Sequence, residues 1–444
     1  MRFLLYIFAY LMSTEILYKA FLDSSGVTTD SRISSTGKMF FAIRGEKFDG
    51  HHFIKQALEK GCATAVIDDD RFAVPGSTIK VNNVLDSLQQ LAKYHRKKFN
   101  FPVLAITGSN GKTTTKELIR EVLATGYNVL ATRGNLNNHI GVPLTLLELE
   151  GSHQAAVIEM GANHIGEIGN LCNITLPDYG IITNIGNAHL EGFGSYQGVR
   201  KAKSELYHYL KKTHGKAFLN SLRQNLIELS EEIGFDYVSF GMREDDYIRG
   251  KLLDSEEELV LEITHRESGK QFNLKTRMTG TYNFENILAA VCTGYFFGIH
   301  PENIKEAIEN YVPANLRSQI VHTGNNKLLL DAYNANPDSM KAAIADFFSM
   351  PGKNKSLILG DMLELGHYAA EEHKKIISML DDCDFREVMV VGELFSQIPE
   401  AQKFPGFKNV EQLSAWLKEN PLSGRFILIK GSRGLQLEKC VPLL

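Results

Sequence analysis

Short apolar runs bounded by Gly, Asp, Asn or Lys recur along the chain and alternate with segments of helical pattern. Near the N-terminus, Met39-Phe40-Phe41-Ala42-Ile43 and Ala63-Thr64-Ala65-Val66-Ile67 read as buried strands. A helix is expected from Phe53 to Lys60 between them, and another from Val84 to Phe99. Asn100-Phe101-Pro102 reads as a hinge. Beyond it, Val103–Ile106, Ala155–Ile158, Gly180–Asn184 and Gly215–Asn220 alternate with helical patterns, the rhythm of βαβ units and a mostly parallel sheet. A second boundary falls at Tyr311-Val312-Pro313. After it, Lys327–Asp331, Ser356–Gly360, Glu387–Gly392 and Phe426–Gly431 each end in Gly, Asp or Lys, as in a doubly wound sheet whose ligands sit beyond the carboxyl ends of its strands. The pattern therefore predicts an α/β chain of three domains: a mixed α/β unit over 1–100, a P-loop ATPase-like mostly parallel sheet flanked by helices over 101–312, and a Rossmann-like domain over 313–444.

One turn between strand and helix carries chemistry of its own. Thr107-Gly108-Ser109-Asn110-Gly111-Lys112-Thr113-Thr114 follows an apolar strand and opens a helical segment. Amide N–H groups at a helix start face an anion, and the helix dipole adds to the attraction. Gly108 and Gly111 allow close backbone approach, Lys112 can reach terminal phosphates, and the Thr113 hydroxyl can ligate Mg²⁺. The spacing is two residues tighter than G-x-x-x-x-G-K-[ST], but its context is that of an ATP loop, with Ser109, Asn110 and Thr114 completing the cradle.

Composition narrows the partners. The 444 residues are 43% hydrophobic and 23% charged, with a net charge of −4, an ordinary globular composition without the basic footprint of a nucleic-acid binder. The five cysteines, Cys62, Cys172, Cys292, Cys383 and Cys440, form no C-x-x-C pair, which fits a reducing cytosol better than a disulfide framework or a zinc site. Phe3 to Met12 is apolar but, at about half of the ~20 residues a bilayer demands, too short to span one. No small-residue cleavage site follows it. Residues 1–12 are expected to be an extension, or to precede a start at Met12, and the protein to be cytoplasmic, without membrane contact.

Further polar residues stand where strands end. Glu159 follows Val157-Ile158, and His189 closes Ile181–Ala188; both are expected on the sheet edge that carries the glycine turn, where carboxylate, imidazole and the Thr113 hydroxyl could surround Mg²⁺. Lys201-Ala202-Lys203-Ser204-Glu205 opens a helix and reads first as a solvated face. Asn135, Asn137 and Asn138 lie between Gly134 and Gly141, a plain turn or a ring of neutral donors and acceptors. Ser31-Arg32 and Arg44-Gly45 in the first unit suit a diphosphate, or are surface loops.

Taken together and in order, these stretches resemble the ATP-dependent Mur ligases of bacterial cell-wall synthesis. Within them they resemble the branch that joins D-alanyl-D-alanine to a UDP-N-acetylmuramoyl (UDP-MurNAc) tripeptide. The tight loop Thr107–Thr113, Asn135–Pro143, Glu159–Asn163, His189–Gly194, Asp331–Pro337, Gly360–Gly366 and Lys430–Arg433 carry the likeness over essentially all of residues 13–444. The resemblance implies an ATP- and Mg²⁺-dependent amide ligase working through an acyl phosphate. UDP-MurNAc-tripeptide and D-Ala-D-Ala would be its small-molecule substrates and a monomer its expected state. It implies catalysis by Lys112, Glu159, His189 and Lys203, with Thr113, Glu159, His189 and a carbamylated Lys203 around metal. Asn283, Asn286, Arg317 and Asp331 are implied to hold the nucleotide. Ser31, Arg32, Arg44 and Gly45 would hold the UDP part, and Asn137, Asn138, Asn334, Asn336 and Asp361 the remaining substrate. Tyr282 stands where the family usually has histidine. A MurE-like or folylpolyglutamate synthetase-like amide ligase is the alternative, against which Asp331–Pro337 and the asparagine-rich loop argue.

Overall fold

Unbroken apolar strands need cover on both faces, and the helices of this chain supply it. The computed structural model describes residues 14–444 except 34, 47, 382, 384 and 386; the expectations for residues 1–12 lie outside the described residues. The chain forms two compact units. One comprises 1–106, 127–162 and 166–180, the other 107–126, 163–165 and 181–444.

The first unit begins with four parallel strands in chain order, Val27–Thr28, Met39–Phe41, Thr64–Ile67 and Thr78–Lys80. Its small core gathers Phe40, Ala42, Ile54, Ala57, Ala65 and Ile67. A second set of parallel strands follows, with Ala155–Glu159 between Val129–Ala131 and Val103–Thr107. Every residue of Ala155–Glu159 is buried, Glu159 included, because the helices Val84–Arg96, Gly141–Leu146 and Glu167–Thr175 pack on one another and over the sheet. Val84–Arg96 starts at an Asn83 cap whose side chain accepts from the Asp86 amide. It ends three residues before the expected Phe99, where buried Arg96 donates to the Thr175 carbonyl and pairs with Asp178.

In the second unit, Lys216–Asn220, Tyr237–Gly241 and Ile248–Asp254 run parallel, and Val260–His265 and Gln271–Lys275 then extend the sheet antiparallel. That extension departs from the all-βαβ rhythm: Val260–His265 alternates buried and half-buried positions and Gln271–Lys275 is largely exposed, so neither carries a continuous apolar run. The glycine-turn helix Lys112–Ala124 packs on Asn283–Phe296. The last sheet has the order Gln319–His322, Lys327–Asp331, Phe426–Lys430, Lys355–Gly360, Glu387–Val391, Gly406–Phe407, parallel except for its first pair. Leu328, Leu330, Ile358, Met389, Ile427 and Ile429 form its core. Asp331, Lys430 and the Gly360-Asp361 step therefore stand at strand carboxyl ends, where open α/β sheets bind ligands.

Candidate functional site

The glycine turn is built by its neighbours within the second unit. Asn184 brackets it: its carbonyl accepts from the Ser109 amide at 3.0 Å, its Oδ1 accepts from the Asn110 amide at 2.9 Å, and its Nδ2 donates to the Asn110 carbonyl at 3.1 Å. Thr183 Oγ1 donates to the same carbonyl at 2.5 Å. Ser109 Oγ exchanges hydrogen bonds with Gly186. Gly108 has φ +144° and Gly111, the residue before the helix, φ +80°. A Cβ on Gly108 would fall 2.0 Å from Thr183 Oγ1, and one on Gly111 2.5 Å from Asn286 Oδ1. No side chain fits at either place, which leaves a backbone cradle. Lys112 Nζ curls onto the Gly108 and Ser109 carbonyls at 2.8 and 3.1 Å, while Thr113 is buried in the first helical turn and Thr114 half-buried.

Asn283 and Asn286 form a buried chain beneath this helix. Thr115 Oγ1 donates to Asn286 Oδ1, Asn286 Nδ2 to Asn283 Oδ1, and Asn283 Nδ2 to the Thr279 carbonyl. Lys203 lies on the buried face of the helix Tyr196–Thr213, 2% exposed, its Nζ 5.3 Å from the centre of the Phe193 ring. The charge run that reads as a solvated face thus splits, Lys201 outward and Lys203 inward.

Residues from the last sheet meet the turn in the same unit. Asn336 caps the helix Pro337–Ser349 in a reciprocal box with Ser339, and its Nδ2 also donates to Asn110 Oδ1 at 2.7 Å. Asp338 Oδ2 accepts from the Asn187 amide at 2.7 Å. His189, at φ +52°, puts Nδ1 in close ionic contact with Glu364, whose carboxyl this imidazole holds below the usual range. Asp331 joins Lys430 Nζ at 2.5 Å, Arg317 stacks 3.8 Å over the Tyr333 ring, and Asn334 Oδ1 accepts from the Ala335 amide. Asp361 is turned inward, 3% exposed and accepting from the Leu394 and Phe395 amides; burial pushes its carboxyl up.

In the first unit, Glu159 pairs in register with Ile106, the residue that precedes Thr107 in the chain. Asn137 Nδ2 donates to Glu159 Oε1 at 2.8 Å and Thr132 Oγ1 accepts from the Glu159 amide. Asn138 Oδ1 accepts from the Ile140 and Gly141 amides, closing the asparagine-rich turn. Arg44 is ringed by carboxylates, Nε 3.1 Å from Asp49, Nη2 2.9 Å from Asp69 and Nη1 3.6 Å from Asp68. Gly45 lies under the exposed Phe48 ring, Ser31 donates to Gln56, and Arg32 grips Asp30, whose carboxyl it holds down at about 2.

Two buried atoms test whether these groups suit a magnesium nucleotide. Among the described residues, Glu159 Oε2 and Arg317 Nε have no hydrogen-bond partner. Burying such groups costs free energy unless something pairs them, and a cation at the first and an anion at the second would do so. Among the described residues no three or more His, Cys, Asp or Glu gather to form a closed metal cage. The donor set fits. Asn184, Thr183, Asp338, Glu364 and Lys430 belong to this constellation and were not singled out from the sequence. Asn184 carried the signal, since it ends an apolar run just as Glu159 does.

A glycine turn between strand and helix, joined to residues of a second, doubly wound sheet, suits an ATP-dependent ligase, and comparison with known proteins places the chain in such a class. The family model for the Mur ligase middle domain matches residues 106–294, that for the Mur ligase glutamate ligase domain 316–433, and that for the Mur ligase family catalytic domain 23–97. The chain belongs to the Mur ligase family, in the expected three-domain α/β architecture. It is 35% identical over 439 residues to the UDP-N-acetylmuramoyl-tripeptide–D-alanyl-D-alanine ligase of Bacillus subtilis, covering 94% of this chain and 92% of that one. To the enzyme of the same name from Escherichia coli it is 33% identical, covering 96% and 95%. Its fold is similar to the crystal structure of MurF from Acinetobacter baumannii, with a TM-score of 0.85, 30% identity and 97% of each chain covered. MurF ligase from Thermotoga maritima in complex with ADP aligns with a TM-score of 0.80 at 27% identity, over 95% of this chain and 97% of that one. Among the described residues no helix is long and apolar enough to cross a membrane.

Proposed function

We propose that this chain is the ATP-dependent ligase that adds D-alanyl-D-alanine to UDP-N-acetylmuramoyl-tripeptide, completing the pentapeptide precursor of peptidoglycan. The observation that carries the reading is the end-to-end likeness to relatives of that name, covering more than nine-tenths of each chain. Bound ATP supplies the phosphoryl group that activates the tripeptide carboxylate as an acyl phosphate, and Mg²⁺ the positive charge that the transfer requires. The amide N–H groups of Gly111, Lys112 and Thr113 at the helix start would hold the phosphates, those of Ser109 and Asn110 being taken by Asn184, and Lys112, released from the Gly108 and Ser109 carbonyls, would bring its ammonium to the transferring group. Thr113 and Glu159 would be the protein ligands of the metal; Asn137 fixes Glu159 Oε1, and Oε2 has no hydrogen-bond partner.

His189 and a carbamylated Lys203 serve a second metal position; carbamylation turns a buried cation into an anionic ligand. Asn283 and Asn286 hold the loop helix and stand near the base, while Arg317 and Asp331 close over the nucleotide. Ser31, Arg32, Arg44 and Gly45 engage the UDP moiety. Asn138, Asn334, Asn336 and Asp361 complete the substrate end, Asp361 by shaping the loop after Gly360. The domains divide near residues 100 and 312, and the enzyme works in the cytoplasm as a monomer.

The test is ADP release by the purified chain with UDP-MurNAc-tripeptide and a choice of amines. D-Ala-D-Ala should drive turnover while single amino acids do not. Turnover with a single amino acid instead would assign a MurE-like or folylpolyglutamate synthetase-like reaction.

A further inference from the structure

The segment leading into the last sheet is held in an unusual backbone state. Asn315, Leu316 and Ser318 all lie in the left-handed region, at φ 59°, 59° and 47°. Residues other than glycine stay there only where their surroundings hold them, and such places gather at functional sites.

Ser318 is the member of the three with identifiable anchors on both sides. Its Oγ lies 2.7 Å from the Tyr282 hydroxyl, in the turn before the helix Asn283–Phe296. Its amide donates to Asp331 Oδ1 at 3.3 Å, and the other Asp331 oxygen meets Lys430 Nζ at 2.5 Å. The Tyr282 ring is itself confined. It packs so close to Gly280 that a Cβ there would come 2.5 Å from the ring, and Thr281 donates from both amide and hydroxyl to Asp346. Burial pushes the Tyr282 phenol well above its usual range, so it keeps its proton and stays a donor. A histidine side chain, which the family resemblance leads one to expect here, is shorter than a tyrosine and ends in a ring nitrogen; the phenol places a hydroxyl at the Ser318 side chain.

We propose that Tyr282 is a positioning residue for the adenine nucleotide: its hydroxyl fixes Ser318, and Ser318 in turn sets Asp331 and the neighbouring Arg317. This rests on the nucleotide role given to Asp331 and Arg317 above. The contact ties the turn under the loop helix to the strand end that faces the nucleotide.

Tyr282→Phe removes one oxygen and keeps the ring, and Ser318→Ala removes the partner. Loss of one neutral hydrogen bond predicts about a fivefold rise in the Kd for ADP, read by calorimetry on the full chain, and a like rise in the KM for ATP. The kcat should stay within about twofold of the wild type. The double variant should be no weaker than the worse single one, because both remove the same link. A merely structural role would lower the active fraction and kcat and leave the Kd for ADP unmoved, which overturns the proposal. So does a double variant whose loss is the product of the two singles. A wild-type chain that binds no ADP would sink the nucleotide reading and this proposal with it. Normal wild-type binding with unchanged variants would sink the proposal alone.

Discussion

Gly108→Ala is the sharpest perturbation that the nucleotide loop offers. The added Cβ would sit 2.0 Å from Thr183 Oγ1, about 1.4 Å short of ordinary contact, with the Thr183 amide and Asn184 carbonyl both at 3.1 Å behind it. Retreat of Thr183 breaks its bond to the Asn110 carbonyl, worth about 1 kcal/mol. Overpacking adds roughly 1–3 kcal/mol, and an alanine at φ +144° about 1 kcal/mol or more. A local penalty of roughly 3–5 kcal/mol follows, and it falls on the loop that must hold the phosphates. If about 3 kcal/mol of it opposes the binding conformation, the KM for ATP rises roughly a hundredfold, measurable by coupled ADP release. Because one atom causes most of the overlap, adding Thr183→Ala should recover about tenfold, a non-additive result. A Gly108→Ala enzyme with a KM within threefold of wild type, or a double variant no better than the single, would refute the close-packed cradle.

Other outcomes follow from the same geometry. Lys112→Ala should lower kcat by at least about a thousandfold, since the ammonium now resting on the Gly108 and Ser109 carbonyls is lost from the loop; near-normal ADP formation would remove the lysine from the chemistry. Lys203→Ala should be inactive and regain part of its rate with formate or acetate, small carboxylates that stand in for a carbamate; full activity without them would exclude that role. Asp30, held down at about 2 by Arg32, has a folded pKa below the usual carboxylate value. Its stabilising effect is therefore complete above about pH 4 and lost as pH falls through 2. The pair is exposed and screened by water, so Asp30→Asn should differ slightly from wild type in urea melts at pH 7, and the difference should fade as pH falls through 2.

Much of this architecture could be read from hydrophobic patterning, because parallel strands covered on both faces leave continuous apolar runs. Ala155–Glu159 and Phe426–Lys430 are buried at every position, and their chemistry-bearing residues come at the carboxyl end, where the pattern stops. The hairpin of Ile248–Asp254 and Val260–His265 escaped the same reading, because a sheet half-open to water mixes charged residues into every strand. The glycine turn was legible as a strand-to-helix loop, since its positive-φ glycines and the helix that Lys112 opens follow directly from the sequence. Its supports were not. Asn184 ends an apolar run, but nothing local says that it reaches Asn110 across 74 residues, or that Asn336 does so across 226. Arg44 shows the reverse limit: an arginine beside glycine suits a diphosphate, yet here three aspartates surround it first.

Asn336 holds two offices with one amide. Its oxygen takes the Ser339 amide and so starts a thirteen-residue helix, while its nitrogen reaches the glycine turn. Substitutions there will not separate the start of this helix from the hold on the glycine turn. Aspartate would keep the helix begun and turn a donor toward Asn110 into a negative charge; serine or threonine would also begin it but fall short of the turn. A chain selected for heat tolerance at this position would have to loosen its hold on the glycine turn, which makes asparagine the residue both demands can share.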